Sequence, residues 1–207
     1  MPAAIQTWFP TCIYCAPLAP REPAAFNRQL LAECRLLRDT DKDGRRWCAR
    51  NYPGGYTSYG SVDRLHEFSP TFAELERRIR RHVARFVRRL DLDLAGRRLA
   101  MTDCWVNMMT GGVVHGLHLH PLSLVSGTYY LVTPPGSAAL KFEDPRLDRF
   151  MARPPVLHPD RAATAPFVSY PARAGRVVLF ESWLRHEVPA GRTSAERVSI
   201  SFNYGRD

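Results

Sequence analysis

Long apolar runs and a recognisable leader are both missing from this chain. No uninterrupted hydrophobic stretch among its 207 residues approaches the roughly 20 that a membrane helix needs. The first ten residues lack the order of charged and then apolar residues that marks a signal peptide. We therefore predict a cytoplasmic protein with no membrane-spanning segment.

Disulfide frameworks, internal repeats and linkers are missing as well. The five cysteines are an odd number without a regular spacing, and the pair Cys12 and Cys15 has no second pair that would complete a zinc site. We predict five reduced thiols. With 45% hydrophobic and 24% charged residues the chain has an ordinary globular composition, and its length favours one domain over residues 1–207.

Lysine is scarce, although the net charge is +9. Only Lys42 and Lys141 are lysines among the 29 basic residues, so arginine carries the charge and is spread along the whole chain. The one dense run, in residues 77–89, falls on a predicted helix. We interpret it as a solvated helix face, which argues against a nucleic-acid partner. Binding of RNA or an acidic protein through this helix is the alternative.

Helical periodicity is confined to the first half of the chain. Apolar residues at helical spacing predict one helix over residues 24–38 and a second that is capped by Ser69 or Thr71 and ends by about Asp91. The segment between them, residues 39–61, is polar and rich in turn-forming residues. It predicts a surface connection or, alternatively, a cover over a site.

Short β-type segments dominate the rest of the sequence. Residues 5–18 suit an edge strand, because prolines interrupt them. Further strands are predicted near residues 100–109, 114–120, 124–133, 137–142, 165–170, 175–181 and 196–204. This order predicts a mainly β protein with N-terminal helices (α+β), in which residues 1–98 are a helical lead-in with a cover loop and residues 99–207 form a two-sheet roll or barrel.

Three of the seven histidines lie within six positions, at His115, His118 and His120. In an extended strand, residues two apart share a face and residues three apart do not. His118 and His120 can therefore bind one ion together, whereas His115 points away unless the backbone bends. Because imidazole binds zinc, iron, copper and nickel, the pattern predicts a metal site.

A catalytic metal needs at least one more protein ligand, and His186 is the best candidate, since it lies just beyond a predicted strand. We interpret the other histidines, His66, His82 and His158, as structural or exposed. A carboxylate ligand from one of four acidic residues is the alternative, although we favour surface or supporting roles for them; they are Glu143, Asp144, Glu181 and Glu187.

The last predicted strand begins at Arg197. Alternation places this arginine on one face with three polar residues, Ser199, Ser201 and Asn203, and places apolar residues on the other face. An arginine in the interior needs an anion, and its planar guanidinium matches a carboxylate with two hydrogen bonds. The pattern therefore predicts a carboxylate receptor near the metal site.

The order of these motifs resembles the Fe(II)/2-oxoglutarate-dependent oxygenases of the double-stranded β-helix fold and, more narrowly, a family of uncharacterised oxygenases among them. The resemblance covers roughly residues 101–204. The segments that carry it are Trp105-Val-Asn107, Gly111-Gly112, His118-Leu-His120-Pro121, Ser126-Gly-Thr-Tyr-Tyr130, Phe142-Glu-Asp-Pro-Arg146, Ser182-Trp-Leu-Arg-His186 and Arg197-Val-Ser-Ile-Ser-Phe-Asn203.

This resemblance implies a jelly-roll, cupin-like core and a hydroxylase-type reaction that uses Fe(II), 2-oxoglutarate and O2. It implies three metal ligands, His118, His120 and His186, with His120 standing where the wider superfamily has Asp or Glu. It also implies Arg197 and Ser199 as the receptor for the distal carboxylate of 2-oxoglutarate.

Two further polar residues, Asn107 and Tyr130, lie on strands that should line the same roll. Each is expected either to hydrogen-bond the cosubstrate or substrate or to be a satisfied interior group. His115 is expected to support the ligands or to contact substrate.

Two other function classes stay open at this point. One is a three-histidine, cupin-like metal enzyme that does not use 2-oxoglutarate. The other is a non-enzymatic module that binds RNA or an acidic partner through residues 77–89. The substrate of an oxygenase would be a small molecule or a protein side chain, and the sequence allows a homo-oligomer.

Overall fold

The computed structural model describes residues 4–20, 24–161 and 164–206. The helices of these residues are α1 (Ala24–Thr40), α2 (Lys42–Asn51), α3 (Leu65–Phe68) and α4 (Pro70–Leu90). The strands are β1 (Ile13–Pro17), β2 (Gly55–Thr57), β3 (Leu99–Met109), β4 (His115–His118), β5 (Val125–Val132), β6 (Leu140–Glu143), β7 (Phe167–Tyr170), β8 (Arg176–Glu181), β9 (His186–Val188) and β10 (Arg197–Arg206).

The strands form two sheets. A six-stranded sheet has the order β1-β8-β5-β10-β3-β2, and a four-stranded sheet has the order β4-β9-β6-β7. All the pairings between these strands are antiparallel. The prediction of a mainly β protein with N-terminal helices is confirmed, and β1 is an edge strand as predicted. The two sheets do not close into a barrel, and no described helix is long and apolar enough to cross a membrane.

Helix α4 begins and ends where the sequence predicts. The side chain of Ser69 accepts hydrogen bonds from the backbone N–H groups of Thr71 and Phe72, and Pro70 occupies the first turn. The helix ends at Asp91, which has a left-handed backbone conformation with φ of 55°. Its buried apolar stripe, in which each large side chain contributes about 1.5–3 kcal/mol, consists of Phe72, Leu75, Ile79, Val83, Phe86 and Val87.

Alternation along β10 determines which side chains face the helices and which face the second sheet. Tyr204 donates a hydrogen bond to Glu76 of α4 at 3.4 Å, and Tyr129 of the neighbouring β5 donates one to Asn27 of α1 at 2.8 Å. Helices α1 and α4 therefore cover this face of the six-stranded sheet. The opposite face of β10 carries polar side chains into a cavity that residues of both sheets line, among them Arg197, Ser199 and Ser201.

The prediction for residues 39–61 is wrong in the middle of the segment, where the chain forms α2 and β2. The only buried residues of α2 are Gly44 and Cys48, so the helix has too small an apolar stripe to stand out in the sequence. Strand β2 has three residues and owes its conformation to pairing with β3, where Tyr56 lies opposite Met108. Both elements depend on contacts that are remote in sequence.

Strand β9 was also missed, because the sequence analysis places His186 just beyond a predicted strand and not within one. The strand is only three residues long, and its pairing with β4 and β6 defines it. The five cysteines are free, as predicted.

Asp41 connects the start of α2 to the segment that follows β2. Its carboxylate accepts hydrogen bonds from the backbone N–H of Gly44 at 2.8 Å, the hydroxyl of Tyr56 at 2.9 Å and the hydroxyl of Ser61 at 2.6 Å. Burial raises the pKa of Asp41, but these hydrogen bonds outweigh it, and the pKa lies below the ordinary value. The carboxylate thus holds residues 41–61 in place.

We expect Asp41→Ala to lower the free energy of unfolding by about 2 kcal/mol, because it removes a helix cap and leaves two hydroxyls without their acceptor. Urea denaturation at neutral pH measures this loss. The exposed Asp39, whose ion-pair partner among the described residues is Arg38 at 2.9 Å, is the matched control, and its alanine variant should leave the free energy of unfolding nearly unchanged. Equal losses in the two variants would contradict the role given to Asp41.

The same contribution has a pH dependence of known sign. Since the pKa of Asp41 is lowered by folding, its stabilisation is complete above the ordinary pKa of a carboxyl group and is lost as pH falls through the lowered value. The stability difference between wild type and Asp41→Ala should therefore shrink on acidification.

Candidate metal centre

Pairing between β4 and β9 brings two distant histidines together. His118 at the end of β4 lies directly opposite His186 at the start of β9, and their ring centroids are 4.3 Å apart. His118 is half-buried, and His186 is buried against Phe180 of β8, with ring centroids 4.5 Å apart. The register of the two short strands therefore places His118 and His186 side by side in the site.

His120 completes the cluster from the segment that follows β4. Its backbone N–H donates a hydrogen bond to the carbonyl of Ser182 at 2.9 Å, which fixes it beside His186. The Nε2 atoms of His120 and His186 are 3.3 Å apart. One ring nitrogen from each of the three histidines, His118 included, lies within 4.8 Å of the others. This spacing suits three ligands of one ion, because imidazole nitrogens bind first-row metals at about 2.0–2.1 Å.

Backbone hydrogen bonds select the tautomer of two of these rings. The Nδ1 of His118 lies 2.7 Å from the carbonyl oxygen of Gly116, and the Nδ1 of His186 lies 2.9 Å from that of Leu184. A carbonyl oxygen only accepts, so each Nδ1 must carry the proton and donate it. Each Nε2 then presents a lone pair, which is the arrangement that a metal ligand needs.

Burial keeps His120 and His186 neutral at physiological pH. It lowers the pKa of His186 to about 3 and that of His120 to about 4, with the neighbouring His118 as the second cause in both cases. Protons therefore do not compete with a cation for these nitrogens at neutral pH.

His115 also lines the cavity, because the backbone bends between it and His118. The β4–β9 register shifts at this point, which cancels the parity of an ideal strand. The His115 ring packs edge-on against Tyr52 at 4.7 Å and lies 6.2 Å from that of His118. Its Nε2 is buried without a hydrogen-bond partner among the described residues. The group of histidines that could hold one ion consists of His118, His120 and His186, and His115 lies beside this group.

None of the four acidic residues considered as alternative ligands joins the cluster in the described part of the chain. Three of them pair with basic side chains: Glu143 with Arg185 at 2.8 Å, Asp144 with Arg146 at 2.9 Å, and Glu187 with Lys141 at 2.7 Å. The fourth, Glu181, is the last residue of β8 and lies outside the cluster. The cluster thus consists of three histidines, and no carboxylate of the described residues belongs to it.

Arg197 lines the same cavity, which has a volume of about 50 Å³. Only 4% of Arg197 is exposed, and no carboxylate of the described residues pairs with it. One terminal nitrogen lies 3.3 Å from the Ser199 hydroxyl and 3.2 Å from the Met109 sulfur, and Nε has no partner. A buried guanidinium with such weak partners has donor groups free for an anion.

The two other predicted cosubstrate contacts differ in position. Asn107 lines the cavity and donates a hydrogen bond to Ser201 at 3.0 Å, while its Oδ1 has no partner. Tyr130 is fully buried under Arg197, whose guanidinium carbon lies 5.1 Å from the centre of the ring. The Tyr130 hydroxyl likewise has no partner within the described residues. Both residues therefore retain unused hydrogen-bonding groups.

A second, larger hollow of about 820 Å³ opens on the other side of the histidines. It shares Trp105 and three histidines with the inner cavity, namely His115, His118 and His120. We call this hollow the outer cleft. Its walls include Trp47, Tyr52 and Tyr59, which come from the segment expected to be a surface connection or a cover. The position of these three side chains in the wall of the cleft agrees with the prediction that residues 39–61 cover a site.

The sequence analysis missed these aromatic residues and Asp103, which also lines the outer cleft. Strand alternation could have found Asp103, because it lies two residues from Trp105 and four from Asn107 on β3. No local pattern could have found Trp47, since it depends on α2.

Residues outside the site behave as the sequence analysis expects where the structure describes them. His82 is buried and contacts the hydroxyl of Tyr14 at 2.8 Å and the carbonyl oxygen of Leu18 at 3.0 Å, which is a structural role. In the basic run, Arg77 pairs with Glu74 and Arg80 with Glu76, each at 2.6 Å. These intrahelical pairs match a solvated helix face.

Comparison with known families gives one match. The family described as "Putative 2OG-Fe(II) oxygenase" matches residues 103–203, which is almost half of the chain. The matched segment contains every predicted ligand and receptor residue, namely Asn107, His115, His118, His120, Tyr130, His186, Arg197 and Ser199. No curated protein matches the sequence.

Several solved structures share the fold. The non-haem alpha-ketoglutarate-dependent epimerase SnoN from nogalamycin biosynthesis is 20% identical, with a TM-score of 0.64 over 94% of this chain and 76% of that chain. HygX from Streptomyces hygroscopicus, with nickel, 2-oxoglutarate and hygromycin B bound, is 16% identical, with a TM-score of 0.62 over 94% and 83%.

A Pseudomonas putida prolyl-4-hydroxylase is 18% identical, with a TM-score of 0.51 over 95% of this chain and 94% of that chain. The double-stranded β-helix fold predicted from the sequence is confirmed.

Proposed function

We propose that this protein, whose residues 103–203 match the family described as "Putative 2OG-Fe(II) oxygenase", is a hydroxylase-type enzyme that uses Fe(II), 2-oxoglutarate and O2. His118, His120 and His186 hold the iron through their Nε2 atoms. Arg197 and Ser199 bind the distal carboxylate of 2-oxoglutarate. The substrate is a small molecule or a protein side chain that enters through the outer cleft.

The observation that carries this proposal is the buried Arg197, which pairs with no carboxylate of the described residues and lies in the cavity that the three histidines also line. Burying a guanidinium without an anion is costly, so its counter-ion must arrive with a ligand. A dicarboxylate with one end at the metal and the other at Arg197 provides a ligand for the metal and a counter-ion for the guanidinium. The unused Oδ1 of Asn107 and hydroxyl of Tyr130 provide further polar contacts there.

The chain's own residues fit the iron and cosubstrate in defined roles. Bound iron supplies the redox chemistry by which O2 converts 2-oxoglutarate to succinate and CO2 and oxidises a substrate C–H bond. The carbonyls of Gly116 and Leu184 keep two imidazoles in the metal-binding tautomer. Phe180, beside His186, forms an apolar wall that keeps bulk water away from the site.

The whole chain, residues 1–207, serves as one domain in this proposal. Support comes from the lead-in, because β1 pairs with β8 and β2 pairs with β3. The lead-in also supplies the wall of the outer cleft through Trp47, Tyr52 and Tyr59.

One observation favours a second candidate, a three-histidine, cupin-like enzyme without a keto-acid cosubstrate. The cluster has no carboxylate, so the site keeps about one more positive charge than a site with two histidines and an acid. Oxygen consumption without 2-oxoglutarate would favour this candidate, whereas the proposed oxygenase consumes O2 only when 2-oxoglutarate is present.

The proposal is tested by succinate formation. Purified protein loaded with Fe(II) should convert 2-oxoglutarate to succinate under O2, at a slow rate even without its substrate. Protein without metal and protein carrying Zn(II) are the controls, and both should form none. Fe(II)-loaded protein that forms no succinate, and that takes up O2 equally well with and without 2-oxoglutarate, would overturn the proposal.

A further inference from the structure

The outer cleft has an unusual charge for this chain. The protein carries 29 Lys and Arg residues, yet none of the described residues that line the cleft is a Lys or an Arg. Its only acidic side chain is that of Asp103. A cleft with one carboxylate and no basic side chain is suited to a cation and not to an anion.

Asp103 is held so that one of its oxygens remains free for a ligand. Its Oδ2 accepts hydrogen bonds from the Thr102 hydroxyl at 2.7 Å and from Nδ2 of Asn203 at 3.1 Å. The Oδ1 atom has no hydrogen bond within the described residues, and no described basic side chain forms an ion pair with Asp103. Asn203 is itself buried and hydrogen-bonded to Ser126 at 2.8 Å, so the carboxylate is anchored from behind.

Aromatic and apolar side chains form the rest of the cleft. Tyr59 lies against Trp105 with ring centroids 5.0 Å apart, and Trp105 in turn lies 5.8 Å from His120. Trp47 is 51% exposed at the rim. Faces of this kind bind apolar rings and also attract cations.

The segment after the histidines extends the apolar rim. Leu122 is fully exposed and adopts a left-handed backbone conformation with φ of 67°, which is costly for a residue with a side chain. An exposed leucine held in this conformation beside a cleft is a surface that a ligand can cover. The volume of about 820 Å³ falls in the range of small-molecule sites.

We propose that the outer cleft binds a small organic molecule in which a protonated amine, paired with Asp103, is attached to an apolar, ring-bearing body that packs on Trp47, Tyr59 and Trp105. The assignment rests on the proposed function, because it makes this molecule the substrate of the oxygenase. Three neutral histidines, Fe(II), dianionic 2-oxoglutarate and Arg197 together carry a net charge of +1, but Arg197 lines the inner cavity and not the outer cleft, so Asp103 determines the preference of the cleft.

Three probes of one shape test the charge preference: 3-phenylpropylamine, 3-phenylpropan-1-ol and 3-phenylpropionate. The affinities are measured by calorimetric titration of protein that has been loaded anaerobically with Fe(II) and 2-oxoglutarate. Because 2-oxoglutarate then occupies Arg197, the carboxylate probe cannot bind there. We expect the amine to bind about tenfold more tightly than the carboxylate and about fivefold more tightly than the alcohol. Equal or tighter binding of the alcohol or the carboxylate would overturn the proposal.

Variants of Asp103 test whether this side chain causes the preference for the amine probe. In Asp103→Asn the amine and the alcohol should bind equally within about twofold, whereas Asp103→Glu, which keeps the charge, should retain at least part of the difference. The exposed Asp148 is the control, and Asp148→Asn should bind like wild type. A preference that survives in Asp103→Asn would show that another group recognises the amine.

Two exposed tryptophans form a matched pair for the apolar wall. Trp47 lines the cleft and is 51% exposed, while Trp183 does not line it and is 48% exposed. Trp47→Ala should weaken all three probes alike by about tenfold, and Trp183→Ala should weaken none. Equal weakening in both variants would contradict the proposed wall.

The probe measurements separate this inference from the proposed function. A wild-type protein that neither forms succinate nor binds 2-oxoglutarate would contradict the proposed function. The charge preference of the outer cleft could still be tested in that case, by comparing the amine and the alcohol in metal-free protein. Normal 2-oxoglutarate binding without an amine preference would end only this inference. A blocked lysine tripeptide that binds more tightly than the amine, and only with Asp103 present, would overturn the small-molecule assignment.

Discussion

His186→Ala should abolish Fe(II) binding. The variant removes the buried ligand of the cluster, whose Nε2 lies 3.3 Å from that of His120, and it leaves two ligands on one short segment. Because loss of a group that only supports a ligand costs about 10–100-fold in metal affinity, loss of the ligand itself should cost more than 100-fold. Anaerobic loading, desalting and elemental analysis should give close to one iron per wild-type chain and almost none for the variant.

Two other histidines provide the controls for this measurement. His158 is exposed and lies outside the cluster, so His158→Ala should load iron as the wild type does. His115 lines the cavity without belonging to the ligand set, and His115→Ala should also retain iron. Full iron content in His186→Ala, or loss of iron in His115→Ala, would show that the ligands are assigned wrongly.

Arg197→Ala should weaken 2-oxoglutarate binding by about 100-fold or more while the metal stays bound. Removal of one partner of a buried, hydrogen-bonded charge pair costs about 2–5 kcal/mol, and the distal carboxylate would lose its only described cationic partner in the cavity. Anaerobic titration of Fe(II)-loaded protein with 2-oxoglutarate, followed by the visible charge-transfer band, measures the affinity.

Graded variants separate the charge of Arg197 from its shape. Arg197→Lys keeps the charge but loses the planar pair of donors, so it should bind more weakly than wild type and more tightly than Arg197→Ala. Ser199→Ala removes one hydroxyl near the guanidinium and should have a smaller effect, about tenfold or less. Loss of metal together with 2-oxoglutarate in Arg197→Ala, or no change in either, would refute the role assigned to this arginine.

Features that depend on local periodicity could be predicted from the sequence. Helix α4 has a cap at Ser69, a proline in its first turn and a regular apolar stripe, and its ends were predicted closely. The alternation in β10 predicted that Arg197 and Ser199 share a face, and both line the cavity. The family resemblance of residues 101–204 supplied the fold, which the comparisons confirm.

Features that depend on pairing between remote segments could not be predicted in this way. Strands β2 and β9 have three residues each, and only their partner strands make them regular. The bend between His115 and His118 is a shift of register, and strand parity has no information about it. The parity rule therefore predicted that His118 and His120 lie together, and it could not place His115 beside them.

The outer cleft shows the same division. Asp103 and Trp105 are two residues apart on β3, so strand alternation places them on the same face, and this can be read from the sequence. Trp47 lies on α2, and the Asp41 carboxylate that caps this helix also accepts hydrogen bonds from Tyr56 and Ser61, which are remote from Trp47 in sequence. Residues 42–51 contain few apolar residues, and only Gly44 and Cys48 are buried, so the sequence alone does not mark this helix.

The most direct test of the proposed site is anomalous X-ray diffraction at the iron edge from crystals grown anaerobically with Fe(II) and 2-oxoglutarate. We predict one iron peak bonded to the Nε2 atoms of His118, His120 and His186, with the keto acid at the metal and its far carboxylate paired with Arg197. Iron bound by an Asp or Glu side chain in place of His120, or a 2-oxoglutarate carboxylate that does not reach Arg197, would contradict the account.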